Sequence, residues 1–243
     1  MIYFFIGDSN YILHLHIHNP FTRNKYLNRT IDLMLASVTG MTASNWKIQH
    51  LHGHHLGKDI LFNGSKDWEV EKYSPLRALS YCFRSMWYTF WRPFVISLRN
   101  GLKNKKQPIN YRWALTEHLL LFALIALLLV FNTKIFLTYI LPLYALTFFI
   151  TRYVDYLNHY GCDETSSNVY EHSNNCLNPS FNRFTHNFGY HTAHHLKPGA
   201  HWTQLPSLYE EVADKIPDHC KKDYSWSWVL IPYHFYLSQV GKM

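Results

Sequence analysis

Two long apolar segments dominate the chain. Residues 113–131 are apolar except for three polar side chains near their start, and residues 135–151 contain no charged residue. Each segment is close to the ~20 residues that a helix needs to cross the hydrocarbon core of a bilayer. Residues 119–130 are apolar on every side of a helix, whereas a helix on the surface of a soluble protein would have a polar stripe. We therefore predict a transmembrane hairpin at about residues 113–152, in preference to a buried hairpin of a soluble all-α protein.

Two other segments are apolar but do not fit a membrane span. Residues 76–97 contain Arg84 and Arg92 near their middle, and each buried arginine would cost at least ~2.5 kcal/mol. We expect this segment to form an interfacial helix on the membrane surface, with a kink at Pro93. Residues 31–44 are too short to span, so we predict an interfacial or re-entrant helix there.

The charges around the hairpin predict its orientation. Just before the hairpin lie five cationic residues: Arg99, Lys103, Lys105, Lys106 and Arg112. The loop inside the hairpin carries only Lys134, so the positive-inside rule places both outer ends of the hairpin in the cytoplasm. With a net charge of +7, 17% aromatic residues and 16% charged residues, the composition fits a membrane surface better than a nucleic-acid partner. We expect an integral membrane protein with a cytoplasmic active-site face and no nucleic-acid partner.

Histidines collect in three short groups among the 17 in the chain. The groups are His14, His16 and His18; His50, His52, His54 and His55; and His191, His194 and His195. Residues three or four apart share one face of a helix, so each group can present several imidazoles together. His16 and His52 would point away from their groups. Imidazole binds iron, zinc, copper and nickel, and the groups exceed the three or four ligands of one zinc site. The pattern favours two metal ions.

The spacing of these histidines resembles that of a known superfamily. The HxxxH, HxxxHH and HxxHH boxes flanking a membrane hairpin are similar to those of the integral-membrane fatty acid desaturases and hydroxylases, which also include alkane monooxygenases and carotenoid ketolases. The segment Asp155-Tyr-Leu-Asn-His159-Tyr-Gly161 resembles a box of the alkane monooxygenases, and His194 to Pro198 with the following Trp202 resembles desaturase and ketolase sequences. The resemblance extends from His14 to about Pro206.

This resemblance implies a di-iron centre on the cytoplasmic face. It implies nine iron ligands: His14, His18, His50, His54, His55, His159, His191, His194 and His195. Asp155 stands where related enzymes often have asparagine, and we expect it to orient a ligand rather than to bind metal. His16 and His52 are then expected to support the ligands or to be incidental.

The resemblance also implies the chemistry and the partners. We expect an O2-dependent oxidoreductase of fatty acyl lipids, in the first place a desaturase, with an alkane or fatty acyl hydroxylase or a carotenoid ketolase as alternatives. The chain has no haem-binding domain and no cysteine set for an iron–sulfur cluster, so the resemblance implies an external electron donor of the ferredoxin, rubredoxin or cytochrome b5 type. The absence of a Glu-x-x-His motif excludes the soluble ferritin-like di-iron type.

Two other classes of protein carry clustered histidines. A membrane zinc hydrolase needs only three ligands and a general base, fewer than this chain offers. A metal-binding transporter would place polar residues within its spans, whereas these spans are almost purely apolar. Both classes remain alternatives to the oxidoreductase.

These features predict an all-α, integral membrane fold: a transmembrane hairpin, interfacial helices and a cytoplasmic, histidine-rich di-metal cap. We expect a single desaturase-like domain over residues 1–243 in contact with membrane lipids. It is expected to lack spans found upstream in the family, because the first histidine box begins 13 residues from Met1. We predict a loop at residues 161–182, which are polar and rich in turn residues, and a short apolar segment at 226–237 lying against the membrane or the cap.

Overall fold

The chain is mostly helical in a computed structural model that describes residues 2–56, 73–163, 166–223 and 240. The α-helices are α1 (Ile2–His18), α2 (Lys25–Thr39), α3 (Ala43–Trp46), α4 (Pro75–Leu102), α5 (Tyr111–Phe131), α6 (Thr133–Ile135), α7 (Leu141–His159), α8 (Pro179–Phe184), α9 (His191–Leu196) and α10 (Leu205–Glu210). Two π-helical turns cover Lys47–Leu51 and Phe136–Ile140. Short 3₁₀ turns cover His54–Leu56, Val169–Glu171, Trp202–Gln204 and Asp218–Cys220. Strands β1 (Asn175–Cys176) and β2 (Lys221–Lys222) form a parallel pair.

The chain forms two compact units. Unit 1 consists of Met1–Ser65 and Ser85–Phe149, and unit 2 consists of Lys66–Arg84 and Ile150–Met243. Helices α4 and α7 each contribute residues to both units. The assignment of residues 1–243 to one domain stays a prediction.

The core of unit 1 forms where α1 and α3 pack together. Its buried apolar residues are Leu13, Ile17, Met41, Ala43, Trp46 and Phe148. Gly40 ends α2 with a φ of 71°, in the left-handed region that favours glycine, and the ring of Tyr144 lies 2.7 Å from where a Cβ would be. The side chain of Thr42 then accepts a hydrogen bond from the backbone N–H of Asn45 and starts α3. The predicted single helix at residues 31–44 is therefore wrong in its bounds, because the chain breaks at Gly40.

Two helices in the described part of the chain are long and apolar enough to cross a membrane. They are α5, with 21 residues, and the continuous helical segment Thr133–His159, with 27 residues. Much of their apolar surface is exposed: Leu127 is 62% exposed, Val130 83% and Phe131 88%. This exposure is unlike the buried core helix of a soluble protein. The two predicted apolar helices are thus confirmed.

Helix α4 is longer than the segment predicted for it. It covers 28 residues and continues through Pro93, whose carbonyl oxygen accepts a hydrogen bond from the Ser97 hydroxyl at 2.7 Å. Phe83, Trp87 and Phe90 are each more than half exposed along it. An exposed aromatic face of this kind suits the membrane interface, and the interfacial position of α4 stays a prediction.

Unit 2 has a small hydrophobic core formed by residues that follow α7. Its core residues are Cys162, Ala193, Leu205, Tyr209, Ile216 and Cys220. The prediction of a loop at residues 161–182 is wrong in part, because this segment contains a 3₁₀ turn, strand β1 and the start of α8. The side chain of Asn168 caps the 3₁₀ turn, and that of Asn178 caps α8. Asparagine is common both in loops and at helix N-caps, so composition alone does not distinguish the two. The apolar segment predicted at 226–237 lies outside the described residues.

Candidate metal centre

Unit 1 brings five of the predicted ligands together. Helix α1 presents His14 and His18 on one face, with ring centroids 4.7 Å apart. Nε2 of His50 lies 2.8 Å from Nε2 of His14 and 3.1 Å from Nε2 of His55. The ligand atoms of His14, His18 and His50 all lie within 4.8 Å of one another. His50 is therefore the central residue of this group, which we call the unit 1 triad (His14, His18 and His50).

The second histidine box does not form the regular α-helix that its spacing predicts. His50 lies in the π-helical turn Lys47–Leu51, and His54 and His55 lie in the following 3₁₀ turn. The ring of His54 nevertheless stacks on that of His50 at 5.2 Å, and the ring of His55 lies 4.9 Å from that of His18. π-helical turns are rare and frequently occur at functional sites. Here the turn brings both His54 and His55 back to His50.

Buried side-chain contacts fix this π-helical turn. The amide nitrogen of Gln49 donates to Oδ1 of Asn45 at 2.8 Å. The Thr89 hydroxyl donates to Oε1 of Gln49 at 3.1 Å, and the Asn45 amide nitrogen donates to the Thr89 carbonyl oxygen at 2.8 Å. Asn45 and Gln49, both of which precede His50, are thus tied to α4, and these contacts hold the backbone that leads into His50.

Two members of the unit 1 triad are buried beside an aromatic ring. His14 and His50 are 3% and 5% exposed, and the Trp46 ring lies 5.6 Å and 5.4 Å from theirs. Burial lowers the pKa of His18 to about 4. Burial, followed by the neighbouring imidazoles, lowers the pKa of His50 well below its usual value. His18 and His50 are therefore neutral near pH 7, and neutral imidazole is the form that binds a metal.

His16 and His52 take other positions. Nε2 of His16 lies 3.3 Å from Oδ1 of Asp32, and its Nδ1 accepts a hydrogen bond from the backbone N–H of Phe21 at 3.2 Å. Lys47 also approaches Asp32, at 3.4 Å. His16 thus links α1 to α2 through Nε2 and to the intervening loop through Nδ1. His52 is half-buried at the end of the π-helical turn, and the supporting role expected of both histidines stays a prediction.

One buried carboxyl group in unit 1 was not among the predicted site residues. Glu117 of α5 is 1% exposed. Its Oε2 accepts a hydrogen bond from the Ser44 backbone N–H at 2.9 Å, and its Oε1 accepts one from the Trp113 indole N–H at 2.7 Å. Glu117 therefore holds the start of α3, the helix that leads to His50. The one signal in the sequence is a lone acidic residue near the start of an apolar segment, and it does not identify the hydrogen-bond partner.

Unit 2 contains a second group of imidazoles with similar geometry. His159 ends α7, and α9 carries His191, His194 and His195. Nε2 of His191 lies 3.0 Å from Nε2 of His159 and 3.2 Å from Nε2 of His195, and the ligand atoms of these three residues lie within 4.8 Å of one another. The His194 ring stacks on that of His191 at 5.5 Å. We call His159, His191 and His195 the unit 2 triad.

The chemistry of these two groups fits a bound metal. In each unit a single Nε2, that of His50 or His191, is approached by two other Nε2 atoms at 2.8–3.2 Å. A neutral imidazole nitrogen carries either one proton or one lone pair, so it cannot form good hydrogen bonds to both neighbours. Metal–nitrogen bonds of about 2.0–2.1 Å place adjacent ligand nitrogens roughly 3 Å apart at a right angle. The observed separations match those of imidazoles around an ion.

A backbone carbonyl orients one ligand of the unit 2 triad. Nδ1–H of His159 donates to the carbonyl oxygen of His172 at 3.1 Å. This bond fixes the tautomer, because it leaves the Nε2 lone pair directed at His191. Metal-binding histidines usually have such a partner on their other ring nitrogen.

Two asparagines hold the helix ends that carry the unit 2 triad. The Asn174 amide nitrogen donates to the carbonyl oxygens of Leu157 and Tyr160, at 3.0 Å and 2.8 Å, around the end of α7. Oδ1 of Asn175 accepts a hydrogen bond from the Thr192 N–H at 3.0 Å, and its amide nitrogen donates to the Thr192 hydroxyl at 2.7 Å. Sequence reasoning missed both residues, because they lie in the segment predicted as a loop.

Asp155 lies one helical turn before His159. It accepts a hydrogen bond from the Tyr81 hydroxyl, and the guanidinium group of Arg152 lies 3.5 Å away. The Tyr81 side chain is 1% exposed. Asp155 thus ties α7 to α4 within unit 2, and its role in orienting a metal ligand stays a prediction.

Comparison with protein families gives one clear result. The family model described as Fatty acid desaturase matches residues 1–227. Searches of curated proteins and of solved structures found no match. The match covers all nine histidines predicted as ligands.

Proposed function

The chain belongs to the fatty acid desaturase family, and on that premise we propose that it is a membrane-bound, O2-dependent di-iron desaturase of fatty acyl lipids. The observation that supports this proposal best is the pair of histidine groups, one in each unit: Nε2 of His50 is approached by Nε2 of His14 and His55, and Nε2 of His191 by Nε2 of His159 and His195. A single zinc site of a hydrolase would need only one such group. Two groups favour two metal ions.

We propose that both groups bind iron. The ligands proposed from unit 1 are His14, His18, His50, His54 and His55, and those from unit 2 are His159, His191, His194 and His195. A bound pair of irons would supply the O2 activation that breaks an unactivated C–H bond. An all-imidazole ligand set suits iron and not magnesium or calcium.

The surrounding residues would orient the ligands and exclude water. Trp46 packs against the rings of His14 and His50, and Phe188 lies 4.5 Å from the ring of His191. Water excluded from such a site cannot compete with O2 or quench a reactive oxidant. The His172 carbonyl would keep Nε2 of His159 available for a metal.

The membrane supplies the substrate in this proposal. We propose that α5 and Thr133–His159 span the bilayer, with the cationic residues before α5 on the cytoplasmic side. The exposed apolar faces of these helices support this placement. A fatty acyl lipid would then enter from the bilayer. We further propose an external ferredoxin, rubredoxin or cytochrome b5 as electron donor, attracted by the net charge of +7.

Product analysis tests the proposed function. The full chain would be expressed in a host that lacks acyl desaturation, and its lipids analysed by mass spectrometry with and without O2. We expect new unsaturated acyl chains that require O2 and vanish in His191→Ala. The exposed His219 offers a matched control, and His219→Ala should retain the product. If the new acyl chains were hydroxylated instead of unsaturated, the proposed reaction would be hydroxylation and not desaturation. No product from iron-loaded protein supplied with an electron donor would contradict the proposal.

A further inference from the structure

A basic cavity lies at the N-terminal end of α5, within unit 1. Its volume is about 370 Å³, in the range of small-ligand sites. The residues that line it include Arg29, Asn104, Lys106, Asn110, Arg112 and Trp113. Neither the metal groups nor the proposed desaturation uses these residues.

The charge of this cavity is strongly one-sided. Three cations line it, and no carboxylate does. Within residues 2–56, 73–163 and 166–223, none of these three cations pairs with an acidic side chain. The surrounding sequence strengthens this bias, since residues 73–116 contain eight lysines and arginines and no aspartate or glutamate. A cavity of this composition selects an anion.

The cavity is also preorganised. The Arg29 guanidinium stacks over the Trp113 ring, 4.4 Å from its centroid. Stacking fixes the plane of the guanidinium and leaves its N–H edge to form paired hydrogen bonds with an oxyanion. The Asn110 side chain accepts a hydrogen bond from the Trp113 backbone N–H at 3.1 Å and caps α5. The N–H of Tyr111 donates to the Lys105 carbonyl oxygen at 3.2 Å, which holds the loop in place.

The position of the cavity indicates which oxyanion it meets. It lies at the first turn of a helix that is apolar enough to span a bilayer, with Trp113 and Tyr111 at the level where aromatic residues meet lipid headgroups. Phosphate is the anion concentrated at that depth, and arginine matches its geometry. We propose that this cavity binds the phosphate group of an anionic phospholipid, in the leaflet at the N-terminal end of α5. The proposal depends on neither iron nor desaturase activity.

Lipid titration of the detergent-purified full chain tests this site. The probes are short-chain phosphatidylglycerol, phosphatidylcholine and inorganic phosphate, with binding measured by calorimetry. We expect phosphatidylglycerol to bind about tenfold more tightly than phosphatidylcholine, and inorganic phosphate more weakly than either lipid, because it lacks acyl chains to lie along α5. The double variant Lys106→Gln, Arg112→Gln should lose roughly tenfold or more in affinity for phosphatidylglycerol.

The same loop offers a matched control. Lys103→Gln, Lys105→Gln removes the same charge from residues that do not line the cavity, and we expect it to change the affinity less than threefold. If the double variant at the cavity does not fold, the exposed Lys106→Gln alone should still cost about threefold or more. Equal losses in both double variants would overturn the proposal by showing general charge attraction. So would equal affinity for the two lipids, or inorganic phosphate binding as tightly as phosphatidylglycerol.

Discussion

The two units hold similar groups of imidazoles by different means. In unit 1 the supporting contacts come from distant helices: Glu117 binds the backbone of Ser44, 73 residues away, and Thr89 binds Gln49, 40 residues away. In unit 2 the contacts at the triad itself come from a nearby segment, with the carbonyl of His172 only 13 residues from His159, and the distant contact from Tyr81 reaches only Asp155, one turn before the triad. The geometry of the unit 1 triad therefore depends on helix packing, and that of the unit 2 triad on one short polar segment.

This difference predicts which substitutions disturb the geometry of each triad. A substitution that loosens helix packing should disturb the unit 1 triad and leave the unit 2 triad intact. A substitution in residues 172–175 should do the opposite. Stability and metal content measured together separate these cases.

The largest effect is expected at the aromatic residues against the central histidines. Trp46 is 6% exposed in the core of unit 1, so Trp46→Ala should cost about 3–5 kcal/mol of unfolding free energy by leaving a cavity. It should also lower the iron content toward one per chain. Thermal unfolding and metal analysis of the same sample check both effects.

Phe188 provides the comparison in unit 2. It is only half-buried against His191 and His194, so Phe188→Ala should cost about 1–2 kcal/mol. If Phe188→Ala were as destabilising as Trp46→Ala, the contrast between a core-dependent and a locally supported group would be wrong.

The second largest loss of stability is expected for substitutions of Glu117. Glu117→Ala removes the acceptor of two buried N–H groups, those of Ser44 and Trp113, and should cost roughly 2–4 kcal/mol. Glu117→Gln keeps the side-chain volume and one of the two acceptor oxygens, so it should recover part of that loss. Melting temperatures of the two variants in one detergent test this order. Equal destabilisation by both variants would argue against hydrogen bonding as the cause.

Asn174 gives the corresponding test in unit 2. Asn174→Ala leaves the carbonyl oxygens of Leu157 and Tyr160 without their donor and should cost about 1–3 kcal/mol. We expect one of the two irons to be bound more weakly, while the other iron is retained. Asn178→Ala, which removes the half-buried cap of α8 and a hydrogen bond to Asp223 but no contact to the triad, serves as control and should leave the iron content unchanged. Loss of iron in the control would contradict a specific role for Asn174.

The smallest effects are expected for His16 and His52, the two box histidines that are not predicted as ligands. His16→Ala should cost about 1–2 kcal/mol, because it removes a buried partner of Asp32. His52→Ala, at a half-buried position, should stay within roughly 0.5 kcal/mol. Metal analysis should find the iron content unchanged in both variants, and a loss in either would make that histidine a ligand.

Local periodicity predicted part of this arrangement correctly. His14 and His18 share a helix face because they are four residues apart, and the two apolar helices follow from residue composition alone. The π-helical turn at His50 did not follow, because contacts between Gln49 and Thr89 of a distant helix maintain it. The hydrogen-bond partners of Glu117 and Asn174 could not be predicted either, since a single sequence does not reveal which backbone groups lie nearby in space.

Iron content per chain decides whether the two histidine groups bind two metal ions. The purified full chain would be loaded with ferrous iron without O2 and analysed for metal, alongside His50→Ala, His191→Ala and the His219→Ala control. The account predicts about two irons in the unmodified chain and in the control, and about one or fewer in each of the other variants. One metal in the unmodified chain, or two irons retained in both His50→Ala and His191→Ala, would contradict it.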